Sequence, residues 1–178
     1  MTQKSLVLTV TGSDKPGIVE RVTDVVEEQG GNVEASRMAR LGGEFVMLML
    51  VSAPTHRADG LRESLWALRD DRFQVATRLT TRGNVQKYAA YVPYEIKIHG
   101  ADHEGIVHSV THYLASQGIN IETLDAKVRK APMTGAPLFE MEAVVLVPDG
   151  LSYHDLREAL EDVGDQTGVY AEIIPYAG

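Results

Sequence analysis

The sequence contains no cysteine, which removes disulfides, thiolate nucleophiles and Cys-based zinc sites from consideration. Basic charge is short: 17 Lys and Arg stand against 25 Asp and Glu, a net charge of −8. Direct nucleic-acid binding draws most of its affinity from Lys and Arg neutralising phosphates. The densest basic stretch here is only Lys127-Val128-Arg129-Lys130, so no direct nucleic-acid partner is expected. Long apolar runs are missing as well. The longest, Phe45 to Val51, falls far short of the roughly 20 residues that span a bilayer. Met1 to Val10 has neither the basic start nor the apolar stretch of a signal peptide. A soluble, cytoplasmic protein without membrane contact is the expectation. What remains is ordinary for a globular protein: 44% apolar and 24% charged residues.

A chain of 178 residues accommodates one medium domain or two small ones, and an internal repeat decides for two. Gly12, Asp14, Gly17, Ile18 and Val19 recur 88 residues on as Gly100, Asp102, Gly105, Ile106 and Val107. Gln29, Gly30, Asn32 and Glu34 recur at the same offset as Gln117, Gly118, Asn120 and Glu122. The register then slips, with Phe45 and Met47 matching Phe139 and Met141, so the second copy carries a longer loop around Arg129 to Leu138. Leu61-Arg62-Glu63-Ser64-Leu65 lines up with Leu156-Arg157-Glu158-Ala159-Leu160. Gly83-Asn84 and Pro93 break the apolar pattern between the copies. The expected division is a first domain over 1–82, a linker over 83–92 and a second domain over 93–178.

Each copy reads as strand, helix, strand, strand, helix, strand. Leu6, Leu8 and Val10 alternate with Val7, Thr9 and Thr11 as in a half-buried strand. Val19, Val22 and Val26 are expected on one helical face, as are Val107, Val110 and Leu114. Gly30 and Gly118 sit where those helices would end. Val33–Ala39 and Phe45–Val51 suit a hairpin around Leu41-Gly42-Gly43. A helix from about Gly60 to Arg69 and a strand over Phe73–Leu79 close the first copy. This order is α+β and ferredoxin-like, βαββαβ in each half. Phe45 to Val51 is apolar on both faces, so the face away from the helices should meet a second domain, another subunit or a partner. Phe139-Glu140-Met141-Glu142-Ala143 alternates instead, and part of that outer face should stay wet.

The stretch Thr11-Gly12-Ser13-Asp14-Lys15-Pro16-Gly17-Ile18-Val19 joins the first strand to the first helix. Helix N-termini leave N–H groups unpaired and carry partial positive charge, which suits a carboxylate or phosphate. Gly17 lets a small ligand approach that backbone, and Asp14 suits an ammonium group. Asn32 both donates and accepts hydrogen bonds and would complete a site for a zwitterion. The same residues equally suit a structural role, with Asp14 as N-cap, Pro16 in the first turn and Asn32 in an ordinary turn.

Asp14-Lys15-Pro16-Gly17-Ile18-Val19 resembles the Asp-x-Pro-Gly loop of ACT domains, small regulatory modules that bind amino acids. Asn32-Val33-Glu34-Ala35-Ser36-Arg37 and Leu41-Gly42-Gly43-Glu44-Phe45 extend the likeness to the tandem ACT-domain family of glycine cleavage system transcriptional repressors. The resemblance implies a cytoplasmic regulator, a homo-oligomer without a cofactor, that binds a small amino acid such as glycine or serine at an ACT interface. It implies action through a protein partner such as a transcription regulator. The residues carried over are Asp14, Gly17, Ile18 and Asn32, with Asp102, Gly105, Ile106 and Asn120 as weaker counterparts. In the second copy Glu104 replaces Pro16, and its carboxylate would repel a ligand carboxylate.

Other readings compete. His99, His103, His108 and His112 lie close in sequence, and His108 and His112 are one helical turn apart, a spacing that suits zinc or nickel. Glu20 and Asp24, their counterparts in the first copy, favour a plain solvated face instead. A small hydrolase on the same fold is the third reading. Ser13, Ser36 and Ser109 nevertheless lack a nucleophile elbow, and Gly12-x-x-x-x-Gly17 lacks the Lys-Ser/Thr of a phosphate loop. No catalytic residue is assigned. The stretch Arg129 to Leu138 is expected to be a flexible tip, a lid or a docking arm.

Overall fold

Alternating strands and helical stripes are sorted into two units, Met1–Asn84 and Val85–Gly178. The computed structural model describes residues 2–70, 73–80 and 88–176. In the first unit β1 (Gln3–Ser13) leads into α1 (Ile18–Glu28). A hairpin of β2 (Asn32–Leu41) and β3 (Glu44–Pro54) follows, then α2 (Ala58–Trp66) and β4 (Phe73–Thr80). The four strands form an antiparallel sheet in the order β2-β3-β1-β4. The second unit repeats the plan with β5 (Val92–Ala101), α3 (Ile106–Ser116), β6 (Asn120–Lys130), β7 (Pro137–Val147), α4 (Tyr153–Thr167) and β8 (Val169–Pro175). Its sheet order is β6-β7-β5-β8. Both halves are thus βαββαβ, the α+β ferredoxin-like arrangement expected. Part of the expected linker, 83–87, lies outside the described residues; beyond it Tyr91 N–H donates to the Tyr88 carbonyl, and β5 starts at Val92.

Each sheet buries one face. Leu6, Leu8, Val10, Met47 and Val51 pack with Ile18, Val22, Val26, Leu61 and Leu65 from the helices. In the second unit Ile96, Ile98, Met141 and Val145 meet Ile106, Val110, Leu114, Leu156 and Leu160. Burying each such side chain stabilises by about 1.5–3 kcal/mol, so the stripes rather than helix propensity hold these short helices in place.

Several expectations need correcting. The core stripe of α1 is Ile18, Val22 and Val26, and Val19 is exposed; Val107 is likewise exposed on α3 beside buried Ile106. The helix begins at Ile18, and positions four apart stay on the sheet side, while a neighbour is turned away by about 100°. Helix α2 starts at Ala58, itself buried, and ends at Trp66. Beyond it the bonds tighten, with Leu68 N–H donating to the Leu65 carbonyl and Arg69 N–H to that of Trp66. In the stretch 129–138, Arg129 and Lys130 end β6 and Pro137 and Leu138 open β7. The six-residue tip between them is closed by Ala131 N–H to the Ala136 carbonyl (2.8 Å) and Gly135 N–H to that of Ala131 (2.9 Å). Both hairpins also share a β-bulge, between Val33 and Ala35 and between Ile121 and Thr123. Among the described residues no helix is long and apolar enough to cross a membrane.

Helix α4 fits its sheet through Gly164, where a Cβ would lie 2.7 Å from the Val169 carbonyl oxygen and 3.3 Å from Ala171 Cβ. Gly60 in α2 faces only the flexible end of Gln29, at 3.3 Å. Gly164→Ala should therefore destabilise by about 1–3 kcal/mol through overpacking. Gly60→Ala should be neutral or stabilise by about 0.5–1 kcal/mol through helix propensity. Urea unfolding of both variants reads the contrast, and equal effects would refute it.

Candidate functional site

The loop from β1 to α1 ends at Gly17, which caps α1 with φ 87° and no side-chain cap bond. A left-handed residue is required there, and only glycine adopts that conformation without strain. Gly105 does the same for α3, with φ 92°. Asp14 is therefore not the N-cap. Its N–H donates to the Gly43 carbonyl (3.3 Å), tying the loop to the β2–β3 turn. Its carboxylate instead accepts a hydrogen bond from Arg40 Nη1 at 3.0 Å. Arg40 belongs to β2 and sits beside the loop because the hairpin register pairs it with Phe45, at the end of the sheet where β1 ends. The pair is open to solvent, with the arginine side chain 70% and the aspartate 36% exposed.

Arg40 is the site residue that sequence reasoning missed. A single Arg on an edge strand carries no local signal, and only the antiparallel register brings it to Asp14. A shallow hollow of about 430 Å³ lies at the same end of the sheet, lined by Thr11, Gly12, Ser13, Glu44, Phe45, Val46 and Gln74, and neither Asp14 nor Arg40 lines it. Arginine supplies a planar donor set for a carboxylate, aspartate accepts from an ammonium group, and the first N–H groups of α1 face the same end.

The other expected residues fall differently. The side chains of Ile18 and Ile106 are buried in the core, so only their backbone can face a ligand. Asn32 opens β2 and is exposed. The register aligns it through Ser52 with Ser5, whereas Asp14 follows Ser13. At about 3.3 Å per residue they are on the order of 25 Å apart. One unit therefore does not bring Asp14 and Asn32 onto one small ligand. The same register separates Asp102 from Asn120, whose Nδ2 donates to Glu122 Oε1 at 2.8 Å.

The second copy differs in chemistry. Val128 takes the place of Arg40, since it pairs with Phe139 as Arg40 pairs with Phe45. His103, in place of Lys15, has both ring nitrogens against carbonyl oxygens, Nδ1 on Glu104 at 2.9 Å and Nε2 on Thr167 at the end of α4. A neutral imidazole has one N–H, so only protonated His103 donates to both. The Glu104 carbonyl first, then that of Thr167, with the charge of Asp102 adding, raise its pKa above 6.5.

The remaining histidines do not gather around it. His108 and His112 stack on α3 with ring centroids 5.8 Å apart, while His99 contacts Tyr170 at 4.8 Å on the sheet face away from the helices. Among the described residues no three His, Asp or Glu side chains converge as a metal site would need. A larger hollow, about 540 Å³, lies between α2 and β4 beside the exposed Trp66, with Arg69 5.4 Å above its ring. Arg62 in its wall already contacts Thr77 and Asp59.

Against known proteins, residues 4–78 match the model of the ACT domain. The glycine cleavage system transcriptional repressor of Escherichia coli (strain K12) is 28% identical over 163 residues, 90% of this chain and 84% of that one. The crystal structure of an unknown protein from Galdieria sulphuraria is 34% identical with a TM-score of 0.83, covering 99% of this chain and 100% of that one.

A histidine with a raised folded pKa stabilises below its unfolded pKa and loses that contribution as pH rises through the folded value. The gap in melting temperature between the wild type and His103→Gln should therefore be widest below pH 6.5 and shrink above it. A gap that stays constant across that window would rule out the two-carbonyl clamp.

Proposed function

We propose that this chain, an ACT-domain protein with two ACT-like halves and a regulatory protein resembling the glycine cleavage system repressor, senses a small free amino acid through its first half. The observation that carries the reading is the 3.0 Å pair of Asp14 and Arg40 at the mouth of the β1–α1 loop. Two opposite charges with matching spacing are what a zwitterion presents. The ligand ammonium would replace Arg40 on Asp14, and the ligand carboxylate would take the Arg40 guanidinium and the first N–H groups of α1. Breaking the resting pair costs little, because an exposed ion pair contributes only about 0–1 kcal/mol. Glycine or serine fits a shallow site with no deep side-chain pocket. Asn32 takes part only when another copy supplies it, since within one unit it lies at the far end of the sheet.

The second half is the weaker candidate. Asp102 and Glu104 are both acidic, and Val128 supplies no cation where Arg40 stands in the first half. A binding stoichiometry of one amino acid per chain follows. Ligand binding would then alter how the protein docks on a transcription regulator, provided the ligand favours one conformation over another. A net charge of −8 argues for a protein partner over DNA. A gel shift by the purified protein alone at physiological salt would overturn that part.

Titration calorimetry of the untagged protein against free amino acids tests the site. Saturable binding of one amino acid per chain is expected, weakened roughly tenfold or more in Asp14→Ala and Arg40→Ala, as loss of a charged hydrogen bond of about 1.5–3 kcal/mol implies. Val128→Ala should bind as the wild type does. No binding across the panel, or equal binding by both site variants with native melting curves, would overturn the reading.

A further inference from the structure

We infer that the open sheet face of the first unit docks on the open sheet face of the second unit in another copy of this chain. Strand β3 is apolar on both sides. Phe45, Met47 and Met49 are buried under the helices, while Val46 and Leu48 alternate with them and point away, Leu48 49% exposed. By register their neighbours on that face are Ala39 and Arg37 on β2 and Thr11 and Thr9 on β1, with Ala76 and Arg78 on β4 beyond. A strand that is apolar on both faces is suited to cover on both. The cations of this face, Arg37 and Arg78, are exposed, and neither has an ion-pair partner among the described residues.

The corresponding face of the second unit has the opposite character. Register sets Asp125, Glu142, Lys97 and Glu172 in one row across β6, β7, β5 and β8. Its cations are already engaged, Lys97 with Glu95 at 3.3 Å and Lys127 and Arg129 with Glu140 at 3.3 and 3.2 Å. Asp125, Glu142 and Glu172 have no ion pair among the described residues. One face thus offers an apolar strip with two free guanidiniums, and the other offers free carboxylates. Pairing either face with itself would set like charges together, which selects the mixed contact.

Four strands about 4.8 Å apart and about eight residues long at ~3.3 Å each give a footprint on the order of 500 Å². Counted over both partners, one such contact buries about 1,000 Å², the size at which a specific interface begins. The contact uses sheet faces, not the β1–α1 loop, so it stands or falls apart from the amino-acid reading.

Sedimentation velocity at tens of micromolar tests it with two charge-reversed proteins, R37E/R78E and E142R/E172R, whose four positions are all exposed. The wild type should self-associate, and each variant alone should sediment as a monomer. An equimolar mixture of the two should recover association, because every contact between unlike variants is then either fully wild type or fully reversed. A monomeric wild type, variants that still associate, or a mixture that stays monomeric would overturn the inference.

Discussion

Two short helices cover one face of a four-stranded antiparallel sheet, and everything else in this protein is arranged around that one-sided burial. Ile18, Val22 and Val26 on α1, with Leu61 and Leu65 on α2, meet the inward residues of the strands. None of these helices has the length to be stable in water alone. The stripe therefore determines where each helix lies, and α1 begins at the end of the sheet beside the hairpin turn. The second unit solves the same problem with Ile106, Val110, Leu114, Leu156 and Leu160.

What the buried face holds constant, the open face and the loop ends are free to vary. Within one plan, the first copy places Arg40 against Asp14, while the second places Val128 at the same register and ties His103 to two backbone carbonyls. The open faces diverge as well. One is an apolar strip flanked by arginines, and the other is a lattice of Glu, Asp and Lys. Duplication preserved the packing, and the electrostatics of the two halves separated.

Much of the architecture could be read from residues in order. The 88-residue repeat, the alternation in β1 and the glycines that close α1 and α3 are local signals, and Gly30 and Gly118 do adopt φ 66° and 67°. Other details were hidden. Val19 and Ile18 are both apolar and adjacent, and only the direction of the sheet says which is buried. Asp14 in a loop before a helix suits an N-cap by composition, but Gly17 caps because the chain enters α1 in a left-handed turn. The stretch 129–138 has turn composition, and cross-strand bonding nonetheless carries four of its residues into the hairpin.

The sequence by itself determined the number of domains, their strand and helix order and the acidic, cysteine-free character that limits the partners. These follow from periodicity and composition, which act over a few residues or over the whole chain. Only the tertiary structure decided which residues share a place. Strand register brought Arg40 to Asp14 from 26 positions away, and the same register carried Asn32 to the far end of the sheet. Contacts of that kind depend on how strands pair over long separations, and no local pattern encodes them.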